Sequence, residues 1–191
     1  MADGSETTVS TGAAVCPCWL WAALAMAAAG SIGSLALTWG LGLTACPLCF
    51  YQRVFMLTAT GSLALGVLLR ELKPGRASLF ALPSAMGGFA VAVFHSNLVR
   101  TGALECPNGL LDLGPAPVQS LVAFVLLLAL LAGDMIQARK AGFGIPAVGL
   151  GAGLLGLVFA LALIYSSPPS PPRSAFDYSK PPVVCRPALQ P

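Results

Sequence analysis

Polar and apolar positions in this chain fall into long apolar blocks separated by short polar breaks, without the amphipathic alternation of a soluble fold. Five blocks stand out: Trp19 to Leu43, Val54 to Leu69, Leu79 to Val99, Val118 to Ala132 and Ile145 to Tyr165. About 20 apolar residues cross the hydrocarbon core of a bilayer as a helix. The second and fourth blocks are short and are expected to extend into their flanks, to about 50–69 and 118–133. Phe50 to Arg53 then belongs to the top of the second helix. The pattern predicts an all-α membrane protein with five spanning helices within residues 19–166, a tail at residues 1–18, and a Pro-rich tail at 167–191.

Composition agrees: 57% of the 191 residues are hydrophobic and only 9% are charged, which makes the lipid bilayer the expected solvent. The net charge of +3 is small and the basic residues are scattered, with no interleaved aromatic run, so no nucleic-acid partner is expected. Met1 to Val15 carries Asp3 and Glu6 and no Lys or Arg, unlike the start of a cleavable signal peptide.

Charge gives the orientation. Arg70, Lys73 and Arg76 separate the second and third blocks, and Arg139 and Lys140 separate the fourth and fifth, so both connections are expected on the cytoplasmic side. The opposite side holds Arg53 and Arg100, with Arg173, Lys180 and Arg186 in the C-terminal tail. Cys46, Cys49, Cys106 and Cys185 then emerge on the outer, oxidising face, while Cys16 and Cys18 stay inside. Trp19 and Trp21 at one boundary, and Trp39, Phe50, Tyr51 and Tyr165 at the other, suit interfacial anchoring.

Gly151 to Gly156 matches a dinucleotide-binding glycine pattern, but it sits inside an apolar span without a preceding strand, and that reading is rejected. Gly149 and Gly153, spaced as GxxxG, suit a close helix–helix approach instead.

The chemistry concentrates in Cys46-Pro47-Leu48-Cys49-Phe50-Tyr51-Gln52-Arg53. Two thiols separated by two residues at a helix start can close a small, readily exchanged disulfide. Pro47 suits the first helical position, Cys49 falls in the electropositive first turn, and Arg53 follows Cys49 at i+4, all favouring a thiolate at Cys49. A structural disulfide is the plain alternative. Haem attachment fails because Phe50 stands where a histidine is needed, and a zinc site would need two further close ligands in a chain with one histidine, so no metal is expected. Glu105 beside Cys106 is expected to raise that thiol's pKa. His95, near the outer end of the third block, lies in the same leaflet as Arg53.

The run from Cys46 to Arg53 resembles the CxxC-x-x-x-R signature of DsbB-type thiol:quinone oxidoreductases, and the order of helices from about Trp19 to Ala132 is similar as well. The resemblance implies a four-helix transmembrane bundle, here with a fifth transmembrane helix added, in a bacterial inner membrane. It implies a DsbA-like thioredoxin-fold partner on the periplasmic face and a quinone, ubiquinone or menaquinone, as electron acceptor. Cys46 and Cys49 would be the quinone-proximal pair, with Cys49 as the thiolate that meets the quinone and Arg53 at its oxygen. Cys106 would form the mixed disulfide with the partner. Members usually carry the fourth cysteine in the same loop as Cys106; here the remaining outer cysteine is Cys185, beyond the fifth span. A Cys106–Cys185 pair is expected on topology and tail reach, the alternative being that Cys106 works alone. His95 is assigned to quinone contact or proton delivery, against simple anchoring. A non-catalytic membrane protein braced by disulfides, or a thiol reductase running the other way, are the competing functions.

Overall fold

The computed structural model describes residues 18–69, 75–142, 146–168 and 171–189. Five helices form: α1 (Cys18–Trp39), α2 (Pro47–Leu68), α3 (Arg76–Arg100), α4 (Ala116–Lys140) and α5 (Pro146–Tyr165). α1 contacts α2 and α4, and α3 contacts α2, α4 and α5, so the first four helices close a ring and the fifth lies outside against α3. Among the described residues, Cys18–Trp39, Arg76–Arg100, Ala116–Lys140 and Val148–Tyr165 are long and apolar enough to cross a membrane. The chain is thus an all-α membrane protein. α2 has comparable length, but Gln52, Arg53, Thr58, Thr60 and Ser62 dilute its apolar character.

Several boundaries differ from those expected from hydropathy. α1 stops at Trp39 rather than Leu43, because Gly40 to Gly42 breaks the helix, with Gly42 at φ +65°. α4 continues past the apolar block to Lys140, and this is possible because Asp134 is buried against Ser78, whose hydroxyl donates to its Oδ2 at 2.7 Å. That bond joins the last third of α4 to the first turn of α3, and places Arg76, Arg139 and Lys140 at one end of the bundle. Arg70 and Lys73 lie outside the described residues, as does Cys16.

The core is built from small residues facing larger ones. Ala23 and Ala27 of α1, Ala59 and Leu63 of α2, Ala81 and Ala85 of α3, and Leu127 and Leu131 of α4 are all fully buried in one cluster. Small residues let helix backbones approach where lipid leaves no hydrophobic drive between helices. Gly156 approaches α3 more closely than Gly153 of the expected GxxxG pair. A Cβ on Gly153 would meet only Met86 at 3.7 Å, an ordinary contact, whereas one on Gly156 would strike the Pro83 carbonyl of α3. Gly156 is where α5 seats.

At the cysteine-bearing end, the loop after α3 and the tail after α5 meet. Leu104–Glu105 (β1) pairs antiparallel with Arg186–Pro187 (β2), setting Leu104 opposite Pro187 and Glu105 opposite Arg186. Cys106 and Cys185 flank this two-residue ladder and are joined by a disulfide 79 positions apart in sequence. The pairing expected from topology is therefore the one formed. Thr44, in the connection between α1 and α2, also donates its N–H to the Val183 carbonyl at 2.9 Å, so the tail is pinned to both neighbouring loops.

Candidate functional site

The site begins at the first turn of α2. Cys46 is the N-cap residue, with extended backbone (φ −69°, ψ 164°), and Pro47 follows it where no N–H is missed. The Cys46 sulfur takes the role a serine or aspartate oxygen usually fills, accepting the Cys49 backbone N–H at 3.2 Å. The two sulfurs lie 2.9 Å apart and are not bonded to each other. The arrangement revises the expectation for the dithiol. Helix N–H groups serve Cys46, and its thiol is held well below the usual thiol range, chiefly by the hydrogen bond from the Cys49 side chain and further by His95, against the opposing cost of burial. In the dithiol, Cys46 is thus the favoured anion.

Cys49 faces elsewhere. With Arg53 one turn on, it lines a cavity of about 200 Å³ between α1, α2, α4 and the loop that carries Cys106. Gly30, Gly33, Leu37 and Met56 form apolar parts of its wall, and Ser34, Thr38 and Gln119 supply polar atoms. Cys185 reaches the same wall. Leu110 turns inward against Gly33 and closes one side, while Leu113 remains exposed.

Arg53 is held by α1, not by an acid. Its Nε donates to Ser34 Oγ at 3.0 Å, and its Nη2 donates to the Ser34 carbonyl at 2.9 Å and to Thr38 Oγ1 at 2.7 Å. No described carboxylate forms an ion pair with it. The guanidinium is therefore fixed in orientation while its charge is left uncompensated beside the cavity. Neither Ser34 nor Thr38 was singled out by sequence, although their i, i+4 spacing on an apolar helix is the signal of a polar face.

His95 is fully buried and is not part of the cavity wall. Its Nδ1 lies 3.2 Å from the amide nitrogen of buried Gln52. Its Nε2 lies 3.4 Å from Cys106 Sγ, 3.5 Å from Cys185 Sγ and 3.9 Å from Cys46 Sγ. The histidine assigned from sequence to quinone contact or proton delivery thus lies within reach of sulfurs of both cysteine pairs. The sulfurs of Cys46, Cys49 and Cys185 and a ring nitrogen of His95 all lie within 4.8 Å of one another, but Cys185 is bonded to Cys106 and is no thiolate donor for a metal. The fold brings all four outer-end cysteines, Arg53 and His95 into one locality. Cys18 opens α1 in a different part of the chain.

A dithiol and a disulfide separated by one imidazole, with one thiol facing a cavity beside a fixed cation, decide the comparison. The family model for disulfide bond formation protein DsbB matches residues 16–165. The chain belongs to the DsbB family. No curated protein and no solved structure matches it. Membership implies a membrane oxidoreductase that acts on disulfides and generates them. The match covers all five helices and ends before the tail, so Cys185, bonded to Cys106, lies outside the matched residues.

Glu105 has a partner that its place beside Cys106 did not disclose. Its carboxylate is paired with Arg186 Nε at 3.0 Å. The charge expected to raise the Cys106 pKa has a partner of its own.

Proposed function

We propose that the protein is a thiol:quinone oxidoreductase that reoxidises a DsbA-like thioredoxin-fold dithiol in the periplasm and passes the electrons to ubiquinone or menaquinone in the bacterial inner membrane. α2 then spans the bilayer as the second of five transmembrane helices, with Arg53 and Thr60 turned to α1 and Gln52 at the cavity. The observation that carries the reading is the shared cavity: Cys49, Arg53 and Cys185 border one space, joining both cysteine pairs to a site with a free cation.

The residues fit the group. An apolar cavity with a few fixed polar groups suits a flat quinone head, and Arg53, in its wall, would supply positive charge to a quinone oxygen. A bound quinone supplies a two-electron acceptor. Cys49 presents the reacting sulfur to it, Arg53 stabilises negative charge at its oxygen, and Leu110 limits access of water.

Upstream, the partner's thiolate attacks Cys106, releasing Cys185 as the leaving thiolate. Cys185 belongs to the close group with Cys46 and Cys49 whereas Cys106 does not, which supports Cys185 as the sulfur that exchanges with the CxxC and leaves Cys106, although buried, to bond the partner. Cys185 then attacks Cys46 of the Cys46–Cys49 disulfide, and Cys49 leaves as the thiolate facing the cavity. This reconciles the two roles at α2: Cys46 is the favoured anion of the dithiol, and Cys49 becomes the anion once Cys46 is tied to Cys185.

The test is turnover by the purified full chain, supplied with a reduced thioredoxin-fold protein and a short-chain quinone. One quinone should be reduced per dithiol oxidised, with loss of activity in Cys49→Ala and in Cys185→Ser. No reduction of any quinone, with both outer pairs oxidised and inert, would instead establish a protein whose disulfides only brace its helices.

A further inference from the structure

Exchange between two cysteine pairs creates a new thiolate at every step, and each must be accommodated in a buried, low-dielectric place. If the relay proposed above operates, the first attack breaks the Cys106–Cys185 bond and leaves the electron pair on Cys185. Attack of Cys185 on Cys46 then forms the Cys185–Cys46 bond and moves the pair to Cys49. The partner's second thiolate releases Cys106, which attacks Cys185, restores the Cys106–Cys185 bond and leaves the pair on Cys46. Of the four departing sulfurs, Cys49 faces the cavity and Arg53. The other three, Cys106, Cys185 and Cys46, lie 3.4, 3.5 and 3.9 Å from the same atom, Nε2 of His95.

We propose that His95 is a catalytic residue of the internal exchange, its Nε2 holding the proton that stabilises each of these three thiolates in turn. The second ring nitrogen is what makes this workable. Gln52, itself buried, faces Nδ1 at 3.2 Å; when its amide donates there, the neutral ring must carry its proton on Nε2, pointing at the sulfurs. Amide rotation to present the oxygen favours Nδ1–H and frees Nε2 to accept a thiol proton, so acid and base forms are both available without exposure to solvent.

Among the described residues no carboxylate and no second imidazole bonds to the ring, and Arg53, the cation one turn past Cys49, is anchored to Ser34 and Thr38 of α1. Around the ring, α2 supplies Cys46, Cys49 and Gln52, and the loop and tail supply Cys106 and Cys185. Glu105, adjacent in the loop, is paired with Arg186. The acid of α4, Asp134, is bonded to Ser78 in the first turn of α3, five turns from His95 along that helix, and α5 contributes only Tyr165, at its exposed end.

The experiment removes quinone and partner from the measurement. In full-length Cys49→Ala, Cys46 has no proximal mate; its thiolate attacks Cys185, the Cys46–Cys185 bond forms, and Cys106 leaves to be trapped by iodoacetamide. Peptide mapping follows the Cys46–Cys185 crosslink and alkylated Cys106 together over time and across pH. Adding His95→Gln should slow their appearance at least ~10-fold, within the range for loss of one acid–base group, and should flatten the pH profile. Gln52→Leu on the same Cys49→Ala background, which keeps the ring and removes its Nδ1 partner, should shift the profile without flattening it. Absence of the crosslink in Cys49→Ala alone would overturn the relay itself. Equal rates and equal pH profiles with and without His95, or a slowing by His95→Gln that leaves the profile unchanged together with no shift in Gln52→Leu, would overturn the role of His95 and leave the relay standing.

Discussion

Arg186 donates to Glu105 at 3.0 Å across a two-residue ladder, placing an ion pair immediately beside the Cys106–Cys185 disulfide. Arg186 is buried, its Nη1 also donates to the Asp177 and Lys180 carbonyls at 2.8 and 3.1 Å, and its guanidinium lies 4.5 Å over the Tyr178 ring. The tail owes its local shape to this one side chain as much as to the disulfide.

Arg186→Ala should therefore make the disulfide easier to reduce. Loss of the Glu105 hydrogen bond, the one across the ladder, costs about 2 kcal/mol net, and for a two-electron couple about 1.4 kcal/mol corresponds to 30 mV, so a rise of roughly 40 mV is expected. Equilibration of the purified variant against glutathione buffers measures it. An unchanged potential would mean that the ion pair does not support the bonded state.

Arg53→Met should reduce quinone turnover by about 100-fold, the usual scale for loss of one fixed donor at a developing oxyanion. Ser34→Ala and Thr38→Val leave the charge and loosen only its anchors, so effects of a few fold, mainly on the KM for quinone, are expected. Steady-state quinone reduction distinguishes the two classes.

The reduced protein should alkylate at Cys46 below the pH at which an ordinary thiol reacts, because hydrogen bonds from Cys49 and His95 favour the anion there. The lowered pKa also links to stability. The extra stability of the dithiol form is fully present above the pKa of the unfolded thiol, and it is lost as pH falls through the lowered folded value. A pH series of iodoacetamide labelling, read at Cys46 by mass spectrometry, should have its midpoint to the acid side of the same peptide in denaturant.

Gly156→Ala should destabilise the docking of α5 by about 1–3 kcal/mol, since the added methyl meets backbone, not a movable side chain. Gly153→Ala should be close to neutral, as its contact is ordinary. Thermal unfolding of both variants in one detergent compares them directly.

Much of the bundle was legible because hydropathy reports burial in lipid, and Pro47 marks a helix start by its covalent structure alone. Helix ends were less so: α4 runs on to Lys140 because Asp134 finds Ser78, a partner 56 positions away that no local window contains. The Cys106–Cys185 bond could be anticipated from sidedness and tail reach. The position of His95 could not, since its neighbours come from α2, the loop and the tail at separations of 11 to 90 residues. Gln52 left a signal that went unused: it is a polar residue one helical turn after Cys49, and it is buried. The anion preference at Cys46 depended on its capping geometry, which the spacing of a CxxC does not disclose.

The route of the chain also orders the protein's own maturation. Cys185 follows all five helices, so during synthesis the bundle is complete in sequence before the second redox pair can exist. Until the tail arrives, a nascent chain holds Cys106 without the cysteine it is bonded to. The Cys106–Cys185 bond can thus close only after all five helices have been made, when a segment past α5 returns to the loop after α3.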